Sequence, residues 1–261
     1  MHPILCKIGP FAIYSYGTML AVAFVISVLL ISLKAREQGL EKENIISLSF
    51  YVIIPAIIGA RLLYVLLNLK EFFAVPYEIL MIHHGGLVFY GGLLGGLLGG
   101  LFYIKKKKLP AAQILDISAP YLVLGQAIAR IGCLLNGCCY GKPISSGMGL
   151  FFAPDSVAGS QEILYPTQFY SSVANLGIFL VLLKWSNFKN LSPRATEPWY
   201  APVSGEIFAG YLMLYSLKRF LIEFLRGDTP VLLFGLTFFQ LISIGLGASA
   251  LTWVLITGKR R

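Results

Sequence analysis

The sequence is short of charge, and of negative charge above all: twelve aspartates and glutamates stand against twenty-one lysines and arginines in 261 residues, and only 13% of the chain is charged. Soluble domains carry about 25% charged residues, so a water-soluble globule is excluded. Histidine is scarce at three residues, and four cysteines do not make a secreted disulfide framework. The N-terminus lacks a Lys/Arg-led leader with a small-residue cleavage site, so the first apolar run is expected to be a retained span. Basic patches interleaved with aromatics are also missing despite the formal net charge of +9. No nucleic-acid partner is expected.

What fills the chain is hydrophobic residue, 57% of it, with a mean hydropathy of +0.75. Apolar runs fall at roughly 14–33, 45–69, 86–104, 111–135, 167–185, 205–225 and 232–257. Each is about the 20 residues that a helix needs to cross a bilayer. The reading is an all-α integral membrane protein of about seven transmembrane helices, one domain over 1–261, with an extracytoplasmic loop region at about 142–166. Cations set its orientation. Lys34, Arg36 and Lys42 follow the first span, Lys105 to Lys108 the third, Lys184, Lys189 and Arg194 the fifth, and Lys259 to Arg261 close the chain. The opposite connections hold Lys7, Lys70, Lys142 and Arg226. The positive-inside rule then puts the N-terminus outside and the C-terminus in the cytoplasm.

Two features of the spans are structural expectations. The glycines four apart in Gly91 to Gly100 open a groove for close approach by a neighbouring helix. Pro55 and Pro120 free helical carbonyls that neighbouring groups must satisfy.

The stretch Gln126 to Gly141 places Arg130 inside an apolar run, then Asn136, then the Cys138-Cys139 pair between glycines. An intramembrane guanidinium is costly unless something binds it, which makes it a functional candidate. The predicted topology brings Arg130, Lys218, Arg219, Glu223, Arg226, Arg61, Tyr14, Tyr16, His83, His84 and Tyr90 toward one outer level, with Asp116 an inner counterpart. Arg219 and Glu223, four apart, share a helix face and can pair. Cations outnumber carboxylates there, and a lipid phosphate is the nearest anion. Cys133, Cys138 and Cys139 leave several readings open: buried filler, a redox pair, or a zinc site needing further ligands, for which His83 and His84 are candidates. No metal and no cofactor is assigned.

Arg130-Ile131-Gly132 with Asn136-Gly137 and Tyr140-Gly141 resembles the signature of the prolipoprotein diacylglyceryl transferase family. Other stretches agree in order: Tyr16-Gly17, Gly59-Ala60-Arg61, Gly85-Gly86 through Tyr90 to Leu93, Tyr165-Pro166-Thr167-Gln168, and Arg219 through Glu223 to Arg226. The resemblance implies a multi-pass enzyme of the bacterial cytoplasmic (inner) membrane. It would move a diacylglyceryl group from phosphatidylglycerol to the signal-peptide cysteine of a prolipoprotein and release glycerol phosphate. Its partners would be those two substrates and the bilayer. By resemblance, Arg130, Arg219, Glu223 and Tyr90 are catalytic, the arginines holding the head-group phosphate and Glu223 orienting Arg219. Tyr16, Arg61, Asn136, Gly141, Arg226 and His84 are substrate-binding. Tyr90, Cys133 and Cys138 depart from the histidine, asparagine and glutamate of the family's best-known members, and a phenol is a poor general base at neutral pH. The departures keep two alternatives open, a paralogue with another acceptor and a thiol-redox or metal-binding membrane protein.

Overall fold

The computed structural model describes residues 2–8, 11–81, 85–144, 149–152, 157–159, 162–191 and 205–258. Its elements run β1 (Ile4–Ile8), β2 (Phe11–Tyr14), α1 (Ser15–Glu37), α2 (Lys42–Leu67), α3 (Leu69–Ala74), a 3-10 turn (Pro76–Leu80), α4 (Phe89–Lys107) and α5 (Ala111–Asn136). Then come β3 (Leu150–Phe151), β4 (Ile163–Leu164), α6 (Thr167–Leu191), α7 (Glu206–Glu223), β5 (Val231–Leu233), β6 (Leu236–Thr237) and α8 (Phe238–Gly258). Each of the seven apolar runs lies on a long helix. Among the described residues, five helices, α1, α2, α5, α6 and α8, are long and apolar enough to cross a membrane. Of the other two, α4 ends in three lysines and α7 carries Glu206, Lys218, Arg219 and Glu223. Leucines such as Leu67, Leu98 and Leu180 stand exposed along the helices, as a surface solvated by lipid requires.

The chain divides into two compact units, Ser32–Ala111 and a larger one made of Met1–Ile31 with Ala112–Arg261. In the smaller unit the glycine stripe of α4 lies directly on α2. A Cβ at Gly91 would run into the Gly59 carbonyl, one at Gly95 into Pro55 and one at Gly99 into the Tyr51 carbonyl. The last contact has a simple origin: Tyr51 is four residues before Pro55, which offers it no N–H, and Gly99 backbone occupies the space beside that oxygen. The glycines therefore do as the sequence indicated.

In the larger unit Ala119, Val123, Ile178, Leu182, Ile207 and Tyr211 form a buried cluster drawn from α5, α6 and α7. Polar side chains fasten these helices and α1: Gln126 Nε2 donates to Tyr211 Oη at 2.7 Å, Ser172 Oγ to the Ala127 carbonyl at 2.9 Å and, from α1, Ser27 Oγ to the Tyr121 carbonyl at 3.0 Å. Asp116 accepts from the backbone N–H groups of Gly205 at 2.7 Å and Phe208 at 2.9 Å. It thus caps α7 from a neighbouring helix and sets negative charge at the positive end of the helix dipole.

Among the described residues, three antiparallel ribbons, β1–β2, β3–β4 and β5–β6, were not anticipated. Strands of two to five residues are too short for a periodic signal. They sit where α5 and α7 finish and where α1, α6 and α8 begin. His2 N bonds the Leu135 carbonyl at 3.1 Å, Gly141 pairs with Arg226, and Pro143 pairs with Leu164. These links gather the connecting segments at one end of the larger unit.

Candidate active site

Glu223, the last residue of α7, is the buried centre of that end. Its Oε2 lies 3.1 Å from Arg219 Nη2, one turn earlier, and 4.0 Å from Arg226 Nε. The first contact is an ion pair rather than an aligned hydrogen bond. Its Oε1 accepts from Thr237 Oγ1 at 3.0 Å. Thr237 is at the same time the start of α8: Gln240 N donates to Thr237 Oγ1 at 3.3 Å and Thr237 N to Gln240 Oε1 at 2.9 Å, a reciprocal capping box. One hydroxyl therefore serves a helix terminus and the buried carboxylate. Arg219 also lies over the Phe239 ring, 4.4 Å from its centroid. Arg226 makes a two-pronged pair with Asp228, Nε to Oδ1 at 2.8 Å and Nη2 to Oδ2 at 2.7 Å. Burial alone would lower the Arg226 pKa; the Asp228 carboxylate outweighs it and raises it.

Arg130 stands differently. It projects from the last two turns of α5, close enough to Arg219, Arg226 and Lys218 for their charges to act on one another. Among the described residues, no carboxylate or hydrogen-bond partner meets its guanidinium. Lys218 is buried too; it donates to Asn175 Oδ1 at 2.9 Å and rests 4.2 Å from the Tyr215 ring centroid. Among the described residues, two carboxylates, Glu223 and Asp228, thus stand beside these four cations, paired with Arg219 and Arg226. An arrangement with this surplus can accept an anion, and planar guanidinium forks match phosphate oxygens.

The signature stretch is shaped by backbone demands. Helix α5 ends in a Schellman motif: Gly137 N bonds the Leu134 carbonyl at 3.2 Å and Cys138 N the Cys133 carbonyl at 3.1 Å, with Gly137 at a φ of 74°. The chain then turns at Cys139, φ 62°, and runs between two neighbours. Gly141 N bonds the Tyr165 carbonyl at 3.0 Å, Lys142 N the Leu225 carbonyl at 2.8 Å, and Gly227 N the Tyr140 carbonyl at 3.3 Å. A Cβ at Gly141 would come within 2.7 Å of the Tyr165 oxygen and 2.9 Å of the Leu225 oxygen. At Gly132 the same close fit seats α1 against α5, a Cβ there being 3.3 Å from Tyr16 Cα. Tyr16 is thereby placed beside Arg130 and the cysteines, with its side chain partly exposed. Asn136 bonds Cys138 through its side chain. Hydrogen bonds from Cys133 and Cys138, followed by the charges of Arg130 and Arg226, hold the Cys139 thiol below the ordinary thiol range.

The larger unit therefore brings together Arg130, Arg219, Glu223, Arg226, Tyr16, Asn136 and Gly141. Arg61 and Tyr90 belong to the smaller unit, and His84 lies outside the described residues. Arg61, expected to contact substrate, is buried among loop carbonyls. Its Nε donates to Ile79 at 3.0 Å, its Nη1 to Gly85 at 2.7 Å and Gly86 at 3.1 Å, and its Nη2 to Glu78 and to Met81 at 3.4 Å. All five N–H groups of the guanidinium are engaged. Tyr90 opens α4 and packs edge-on against Phe89, ring centroids 5.6 Å apart. Sequence reasoning missed Thr237, Gln240 and Asp228. Thr237-Phe238-Phe239-Gln240 fits the capping-box pattern ahead of an apolar run and was available as a signal.

Comparison with known proteins gives the family. The model of the prolipoprotein diacylglyceryl transferase family matches residues 3–256. A protein of Clostridium tetani named phosphatidylglycerol--prolipoprotein diacylglyceryl transferase is 35% identical over 87% of this chain and 86% of its own. Proteins of the same name from Nostoc sp. and Halalkalibacterium halodurans are 35% and 33% identical, over 97% and 96% of this chain and 89% and 85% of theirs. The chain that folds its paired arginines around Glu223 belongs to the prolipoprotein diacylglyceryl transferase family.

Proposed function

We propose that this protein transfers the diacylglyceryl group of phosphatidylglycerol to the cysteine thiol of prolipoprotein signal peptides, releasing glycerol phosphate. The observation that carries the reading is Arg130: a half-buried guanidinium, beside Arg219, without a carboxylate of its own among the described residues. In this reading Arg130 and Arg219 grip the head-group phosphate. The thiol sulfur attacks the glyceryl carbon, the carbon–oxygen bond to phosphate breaks, and its electron pair leaves on the phosphate oxygen. The arginines stabilise that developing charge, and the cationic surroundings ease loss of the thiol proton, which passes to water. Glu223, held by Thr237, keeps Arg219 aimed. Asn136, Tyr16 and Arg226 line the phosphate's surroundings, and Gly141 pairs with Arg226 to hold the segment after α5 in place. For Tyr90 and His84 the catalytic and substrate-binding roles rest on the resemblance alone. Arg61 is assigned to holding the carbonyls of Glu78, Ile79, Met81, Gly85 and Gly86 rather than to touching substrate.

The same reading takes α4 and α7 as membrane spans, giving seven, with the N-terminus and the ribbon end outside and the C-terminus in the cytoplasm. A family match that runs across both units supports one transferase domain. Purified protein in phosphatidylglycerol vesicles with a signal-peptide substrate is the test: mass spectrometry should find thioether-linked diacylglycerol on the cysteine, with glycerol phosphate released in equal amount. A folded protein that yields neither product would defeat the proposal.

A further inference from the structure

The three cysteines at the end of α5 are not used by the transfer chemistry, yet the fold assembles them. The Schellman motif explains the first contact, because it brings the side chain at its outermost position over the one five residues earlier; these are Cys138 and Cys133. The left-handed backbone at Cys139, uncommon for a residue with a side chain, turns the third thiol back to the other two. The Sγ atoms of Cys133, Cys138 and Cys139 all lie within 4.8 Å of one another. Two thiolates on one zinc-sized ion, each with a bond of about 2.3 Å, sit roughly 4 Å apart, so the triad needs only a small contraction to become a ligand set. The loop is held in place from buried positions on α6: Gln168 Nε2 donates to the Cys138 carbonyl at 2.8 Å and Thr167 Oγ1 to the Cys139 carbonyl at 2.6 Å. Cys133 is buried and the other two are half-buried, which leaves a route in from one side.

We propose that Cys133, Cys138 and Cys139 bind one thiophilic closed-shell cation, Cu⁺ or Zn²⁺. Three sulfurs are the donor set of soft ions. Among the described residues no histidine or carboxylate completes a fourth corner, so Cu⁺ fits the triad as it stands and Zn²⁺ takes water as its fourth ligand. Three thiolates around either ion leave a net negative charge, which Arg130 and Arg226 are near enough to balance. Occupancy therefore draws Arg130 toward the thiolates and away from a phosphate. This last consequence rests on the transferase reading; binding itself does not.

The test uses the reduced full-length protein in detergent, equilibrated separately with Zn²⁺ and with Cu⁺ held by a competing chelator. Elemental analysis should find about one ion per chain, and a near-ultraviolet thiolate-to-metal band should grow to the same endpoint. Cys138→Ser with Cys139→Ser should lose at least nine-tenths of both signals, while Cys6→Ser, in the exposed N-terminal ribbon, should lose neither. Alkylation mapping of the wild-type protein guards against a misfolded variant: bound metal should protect Cys133, Cys138 and Cys139 and leave Cys6 reactive. No saturable binding, no selective protection, or equal binding by the double variant would each overturn the site. If binding holds and metal fails to slow lipid transfer in the wild type, the coupling to Arg130 is what falls.

Discussion

Glu223 shows how one buried carboxylate disciplines several cations. Removing one partner of a buried pair typically costs about 3–5 kcal/mol because the other charge stays behind uncompensated, and Glu223 has Arg219 and Arg226 to answer for. Glu223→Gln keeps the shape and deletes the charge, so lipid transfer should fall at least tenfold while helicity is retained; an undiminished rate would release Glu223 from orienting Arg219. Thr237→Val should act on stability instead. It leaves Glu223 Oε1 without its donor and α8 without its cap, a loss of about 1–3 kcal/mol to be read as a lower melting temperature in detergent. Arg130→Lys keeps the charge and loses the fork. Transfer should drop about 100-fold, the scale of one lost electrostatic contact to a transition state, with an unchanged melt. Wild-type turnover in that variant would take Arg130 out of the site.

Helix packing separates glycines that the sequence presents alike. Gly95 sits against the backbone of Pro55, so Gly95→Ala must push α2 and α4 apart, whereas Gly177 in α6 faces open space, with nothing within 4 Å of where an alanine methyl would sit. Gly95→Ala should lower the melting temperature and Gly177→Ala should hold or raise it, an alanine being better than glycine in a helix by up to about 1 kcal/mol; the reverse order would mean that the α2–α4 contact is not a stability determinant. The helices were legible because a bilayer demands some twenty apolar residues in a row, a signal few other structures produce. Arg130, Arg219 and Glu223 were legible for the same reason, as charges where none should be. The ribbons and Asp228 were not, since a polar residue in a connection looks ordinary until its partner is known; Thr237 was readable as a helix cap but not as the donor to Glu223. For Arg61 the sequence shows that a guanidinium is present, not that the carbonyls of Glu78, Ile79, Met81, Gly85 and Gly86 accept from it.

For the whole molecule, the proposed orientation makes a simple demand. Cys6, exposed in β1, should react with a membrane-impermeant maleimide applied to the outer face of spheroplasts, while a reporter fused after residue 261 should be active only in the cytoplasm; the opposite pattern would invert the topology. The pairing of Gly141 with Arg226 carries a consequence for how such chains can differ in length. A Cβ on Gly227 would come 2.8 Å from the Gly141 carbonyl, just as one on Gly141 would meet the Leu225 carbonyl. Two glycines therefore face each other across a seam joining the α5–α6 connection to the α7–α8 connection, and neither can grow a side chain to compensate for change in the other. The relatives named above are each somewhat longer than the part this chain matches. Their additional residues should be found beyond the segments 137–144 and 224–228, because an insertion within either would slide one half of the seam past the other and carry Arg130 and Glu223 out of step.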